Sequence, residues 1–190
     1  YVDLSSFSSI SSFVRENPEF ILNSLCRIPR FVGAGNRFYS VAQHSVLVAE
    51  LAGEAVTPRQ ARVEMKLHAF LHDAHEAFLG DIPHPVVELL TFGLPEFKEH
   101  LADVKEDFQS AIYHGLGLPA PSPDILSAIA LADKQALARE ATILFLTEAR
   151  TWPQMDGIPF PHRAADFNWL FSINTTRKRG RKAIFTYYSD

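Results

Sequence analysis

The sequence predicts an all-α helical bundle. Apolar residues recur at three- and four-residue steps in several long stretches. Those stretches open on Ser, Thr, Asn or Pro and stop at Gly or Pro. Alternating, β-branched runs of strand type are sparse. A chain of 190 residues with 47% apolar content is ample for one well-filled domain.

Taken in order, residues 1–16 carry Ser5, Ser6, Ser8, Ser9, Ser11 and Ser12 and read as a loosely held N-terminal arm. Asn17-Pro18-Glu19 opens a helix that ends near Cys26 or Arg27, before Pro29. The segment 27–38 is a glycine-containing loop holding Arg27, Arg30 and Arg37. Ser40 caps a helix over 41–55 with His44 in its first turn. Thr57-Pro58 starts a third helix, expected to run unbroken to Gly80. A short helix after Pro85 and a long amphipathic one from Pro95 to Gly115 follow. Ser122-Pro123 opens another that runs to about Glu148. Beyond Trp152 the pattern weakens to a short helix near 164–173, a basic run, and a closing AIFTYYSD of strand character. The expected organisation is the arm, a main domain over 17–150, and an extension over 151–190 packed on that domain.

A net charge of −4 argues against a general nucleic-acid binder. Cys26 is the only cysteine, which excludes an intrachain disulfide and a cysteine zinc cage. There is no run of membrane-spanning length and no basic-then-apolar leader, so the expectation is a cytoplasmic protein without a membrane partner.

The chemistry concentrates in LHAFLHDAHEAFLGDIPHP, residues 67–85, where His72, Asp73, His75, Glu76 and Asp81 fall together. On a continuous helix Glu76 would project over the face of His72 and Asp73, one turn on. Such groups on a core-feeding face are costly to desolvate unless something binds them. His44 upstream and Asp133 downstream stand among small or apolar neighbours on other helices. Bundles build metal sites from side chains that converge in this way, and two imidazoles with two carboxylates suit Mn, Fe, Co, Ni or Zn. Taken singly, His44 reads equally as a capping histidine and Asp133 as a surface aspartate. His68 reads as a packed core histidine, His75 is ambiguous, and His84 stands near the turn after Gly80. His100, His114 and His162 read as surface. Phe31, Phe38 and Tyr39 are either a base platform or core. The run 175–182 holds five basic residues and reads as a surface for nucleic acid or a partner, or, more commonly for such runs, as a solvated tail.

SVAQHS at 40–45, HDAHE at 72–76, GD at 80–81 and ALAD at 130–133 resemble the HD superfamily of metal-dependent phosphohydrolases. Within it the similarity is to bacterial 5′-deoxynucleotidases and phage deoxyadenosine triphosphate triphosphohydrolases, over roughly residues 20–150. The resemblance implies an HD-domain helical bundle with His44, His72, Asp73 and Asp133 as ligands of one divalent ion. Mn, Co or Zn come first, with Mg or Fe behind. It also implies Glu76 and Asp81 beside the attacking water and a phosphate-binding arginine, for which Arg27 is the nearest match, with Arg30 beside it. Lys134 is a candidate for extra positive charge. Gln43 departs from the glutamate usual before the first histidine, and the loop from Arg27 to His44 is about two residues longer. Ala77 after Glu76 disfavours the guanosine tetraphosphate hydrolases.

The expected activity is cleavage of the phosphate ester next to the sugar of a deoxynucleotide. A triphosphate such as dATP would yield triphosphate, and a monophosphate would yield phosphate. A divalent ion supplies this by lowering the pKa of a water to about 7. A homo-oligomer is expected. The alternative is a non-catalytic nucleic-acid-binding protein on the same scaffold; the presence of all four ligand types disfavours it.

Overall fold

The computed structural model describes residues 2–54, 56–145 and 172–186. Along them run α1 (Phe7–Glu16), α2 (Glu19–Leu25), a short 3-10 turn (Arg30–Gly33), α3 (Val41–Glu54) and α4 (Arg59–Phe70). There follow α5 (Glu76–Leu79), α6 (His84–Thr91), α7 (Pro95–Gly115), α8 (Pro123–Leu144) and α9 (Ile173–Thr186). Among the described residues there is an isolated β-bridge, Pro29 to Ser40, and no strand. The protein is an all-α bundle.

α3 is the hub, buried on nearly every side from Val41 to Gly53 and packed against α4, α8 and α9. A helix apolar all round belongs in the interior. Its start is fixed by a capping box: Gln43 Oε1 accepts from the Ser40 backbone N–H (2.8 Å) and the Ser40 hydroxyl, while Ser40 Oγ accepts from the Gln43 N–H. Gln43 thus serves the cap, and its amide supplies the same acceptor that a glutamate would.

The N-terminal segment differs from expectation. Residues 7–16 form α1, whose Ile10, Ser11 and Val14 are buried against α7. Ser6 caps it by accepting from the Ser9 N–H. The serines other than Ser11 fall at the cap and the outer face, so they do not oppose a helix once α7 covers the inner one. A Cβ on Gly115 would lie 2.6 Å from the Ser11 carbonyl oxygen, so glycine there permits the close approach. His114, although exposed, pairs with Ser11 (2.7 Å).

A second difference bears on the site. The helix from Arg59 ends at Phe70, and residues 71–75 form turns before α5. Gln109 on α7 replaces the missing ladder: its Nε2 donates to the Leu71 carbonyl (2.6 Å) and its Oε1 accepts from the His75 N–H (3.1 Å). His72 Nδ1 donates to the Ala69 carbonyl (2.8 Å). Side-chain bonds of this kind satisfy the backbone outside a helix, and apolar spacing alone does not reveal them.

The basic run is not a free tail. Residues 173–186 form α9, which packs on α2, α3 and α4, with Thr176 and Gly180 buried. Of the stretch expected as a closing strand, 183–186 are helical and 187–190 lie outside the described residues, as do 146–171. The end of the helix expected to reach Glu148, most of the helix expected near 164–173, and His162 fall there. Among the described residues no helix is long and apolar enough to cross a membrane. α6, the turn after it and the start of α7 leave Leu89, Leu90, Phe92 and Phe97 exposed.

Candidate metal centre

Four of the sequence-predicted residues meet at the inner end of α3. His44, wholly buried in the first turn of α3, puts Nε2 3.3 Å from His72 Nε2, 3.1 Å from Asp133 Oδ1 and 3.6 Å from Asp73 Oδ2. His72 Nε2 lies 3.1 Å from the same Asp73 oxygen. His72 and Asp73 come from the turn after α4, and Asp133 from the middle of α8.

The tautomers follow from the partners. His44 Nδ1 faces Glu140 Oε1 at 2.6 Å, and a carboxylate only accepts, so Nδ1 carries hydrogen. His72 Nδ1 faces the Ala69 carbonyl, which also only accepts. In the neutral rings both Nε2 lone pairs therefore point at each other and at two carboxylates. Such a set is repulsive without a proton or a cation between its members. Metal bonds of about 2.0–2.2 Å would set neighbouring donor atoms roughly 3.0–3.5 Å apart. The observed separations of 3.1–3.6 Å match that spacing. The ligand atoms of His44, His72 and Asp133 lie within 4.8 Å of one another and can hold a metal ion, with Asp73 beside both histidines.

A buried shell of polar groups supports the cluster. Glu140, on α8 two turns beyond Asp133, accepts from His44 Nδ1 and from the Tyr39 hydroxyl (3.0 Å) and lies 3.4 Å from Arg30 Nε. Glu140 was not singled out as a site residue from sequence, and Tyr39 was read as base platform or core, not as a partner of the cluster. A signal for Glu140 was present: a carboxylate among alanines, seven residues after Asp133 and so on the same helical face.

Among the predicted phosphate-binding residues, Arg30 reaches the cluster and Arg27 does not. Arg27 is exposed just past α2, whereas Arg30 Nη1 stands 3.8 Å from Asp73 Oδ2. The 3-10 turn aims Arg30 inward, with Phe31 and Val32 held at φ of 55° and 54°. Such values are strained for residues with a Cβ. The turn is anchored by Phe31 packing edge-on against Phe145 and by Asn36, whose N–H donates to the Leu144 carbonyl. Tyr39 is core and Phe38 is exposed, so the three aromatics form no common platform. Lys134 is exposed beside Asp133.

Glu76, at the start of α5, forms with Asp73 and His75 a second set of ligand atoms within 4.8 Å of one another. His75 Nε2 and one Glu76 oxygen are buried without a hydrogen-bond partner among the described residues. Asp81 follows Gly80 (φ 78°) and accepts a backbone hydrogen bond from Phe31. His68 is buried deeper, edge-on to Tyr113, away from these contacts.

The charges are strongly coupled. Burial and the Arg30 guanidinium oppose protonation of His44, but Glu140 and Asp133 outweigh them and raise its pKa to about 10. Burial, then Asp73 and Asp81, raise Glu76 to about 9. Burial also raises Asp81. Asp73 goes the other way: burial opposes its charge, yet His72, His44 and Arg30 hold it below the usual carboxylate range. Asp133 and Glu140 are likewise depressed, against burial, chiefly by His44.

No family model matches the chain. It is similar to the uncharacterized protein YfdR of Escherichia coli, with 36% identity over 136 residues, 72% of this chain and 65% of that protein. It is also similar to an uncharacterized protein of Rhodobacter capsulatus, with 37% identity over 127 residues, 65% of this chain and 60% of that protein. The chain thus spans a little under two thirds of the length of these relatives.

Proposed function

We propose that the protein is a metal-dependent phosphohydrolase of HD type that cleaves the phosphoester next to the sugar of a deoxynucleotide. One observation carries the reading. Two imidazoles have their Nδ1 atoms tied to obligate acceptors and turn Nε2 toward two carboxylates, with an arginine alongside. Structural histidines have no need of that arrangement. The order of SVAQHS, HDAHE, GD and ALAD supports the same assignment.

His44, His72, Asp73 and Asp133 would hold the ion, which would supply polarisation of a phosphoryl oxygen and a lowered pKa for a water. Glu140 orients His44, as carboxylates behind ligating imidazoles do. Arg30 binds a phosphoryl oxygen and offsets the charge that builds on it. Glu76 accepts a proton from the attacking water as the new P–O bond forms. The bond to the sugar oxygen breaks, and that oxygen leaves as a hydroxyl with the proton that Glu76 received from the water. Glu76 can take this part because a cation beside Asp73 cancels the charge that otherwise helps keep it protonated. Asp81 sits behind it as the second acidic group.

A pocket packed against the sugar would leave a ribose 2′-hydroxyl unpaired, at about 1–3 kcal/mol. The reading therefore includes preference for deoxyribose, with adenine as the first base to try. A homo-oligomer would cover the exposed apolar residues of α6 and α7. The test is a panel of dAMP, dATP and ATP with Mn, Co, Zn or Mg, scored for phosphate against triphosphate. Metal-dependent release from a deoxy substrate is expected. Failure with every metal and nucleotide would overturn the assignment, and equal turnover of ATP would overturn the sugar preference.

A further inference from the structure

Away from the metal centre, α3, α4 and α9 line a half-open cavity of about 450 Å³, within the range of small-ligand sites. Its lining includes Arg59, Arg62, Lys66, Arg179 and Lys182. Among the described residues that line it the one carboxylate is Glu50, in a chain whose net charge is −4. Glu50 pairs with both Lys66 (2.6 Å) and Arg179 (3.5 Å). Five basic side chains against that carboxylate make the described lining positive. A concave positive site focuses field and attracts anions.

Two glycines show that this charge is placed by the fold. A Cβ on Gly53 would lie 2.4 Å from Lys66 Cε and 2.9 Å from its Cγ, so the Lys66 stem lies flat on α3 and its ammonium is held in position. A Cβ on Gly180 would lie 2.7 Å from Leu22 and 2.8 Å from Phe70. Glycine there seats α9 tightly on its neighbours and so carries Arg179 and Lys182 to the cavity rim. The inner wall is apolar, with Val46, Ala49 and Val63.

We propose that this cavity binds a small ligand carrying two or more clustered phosphates. Each phosphate oxygen finds guanidinium or ammonium donors, and the apolar wall takes whatever organic group the ligand bears. Inorganic polyphosphate and a nucleoside polyphosphate share this chemistry, and the two probes below separate them.

The site is independent of the metal centre, so the titration uses the whole 190-residue chain after chelator treatment. Inorganic triphosphate and ATP are each measured by calorimetry, with a short single-stranded DNA as a third arm. One-to-one binding of at least one phosphate probe is expected, and tighter binding of ATP would assign a role to the apolar wall. The exposed pair Arg59→Ser and Lys182→Ser together should weaken it about tenfold or more, the scale of one charged hydrogen bond. Gly53→Ala, with folding checked by thermal melting, should weaken it by displacing Lys66. Arg30→Ala should leave it unchanged, which separates this site from phosphate binding at the metal centre. Three results would overturn the proposal: no binding of either phosphate probe, affinity indifferent to the double substitution, or DNA binding tighter than both.

Discussion

Loading the metal centre near neutral pH should release protons, and the structure says from where. His44 must surrender its Nε2 proton to become a ligand, and its pKa of about 10 keeps that proton bound at pH 7. Glu76, at about 9, is also protonated there and loses its proton as a cation neutralises Asp73. Binding should therefore release between about one and two protons from these groups, so affinity should rise about 10- to 100-fold per pH unit between pH 7 and 8.5. Calorimetric titration of cobalt into chelator-stripped protein, in buffers of different ionisation heat, counts the protons directly. Glu140→Gln removes the strongest influence that raises His44. It should cut the release by close to one proton and weaken binding about 10- to 100-fold. Cobalt binding at pH 7 without proton release, or a Glu140→Gln protein that titrates like wild type, would refute this reasoning.

The same groups set the stability of the metal-free protein against pH. His44 and Glu76 are raised above ordinary values of 6.5 and 4.5, so the folded state holds protons that the unfolded chain gives up. Their contributions are complete below those values and are lost as pH rises to about 10 and 9. Melting temperature should fall across that window, and saturating metal should flatten the fall; a flat metal-free profile would count against the coupling. Glu76→Gln should keep stoichiometric metal and lose about 100-fold or more in turnover, the scale of a positioned acid–base group; loss of the metal would make Glu76 a ligand instead. Arg30→Ala should impair substrate use with metal retained, while Arg27→Ala behaves as wild type, and kinetics showing the reverse would restore Arg27 to the phosphate role. Gly180→Ala pushes a methyl into Leu22 and Phe70, which should cost about 1–3 kcal/mol by overpacking; an unchanged denaturant midpoint would show that α9 can shift at no cost.

Much of the bundle was legible because its helices carry local signals. Pro95 and Gly115 bound α7 as expected, and Ser122 caps α8 as the Ser-Pro pair implied. The four cluster residues were legible as chemistry, since ionisable groups among apolar neighbours need a partner. What local pattern could not show was produced by distant side chains. Gln109 breaks the third helix at Leu71, and nothing within 59–80 announces it. α1 depends on the face of α7 that covers it. Arg30 displaces Arg27 at the cluster because the backbone reverses at Phe31 and Val32 without a glycine, a conformation that the sequence gives no reason to expect. Glu140 lay in plain view on the Asp133 face and became informative only beside His44 Nδ1.

Cobalt loaded into stripped protein and located by anomalous diffraction bears most directly on the central assignment. The predicted result is one ion per chain, about 2.0–2.2 Å from His44 Nε2, His72 Nε2 and one oxygen each of Asp73 and Asp133. That ion should be absent from folded Asp73→Ala protein. A wild-type protein without stoichiometric cobalt, or with its ion held by Asp73, His75 and Glu76 while His44 and Asp133 stand clear, would contradict it.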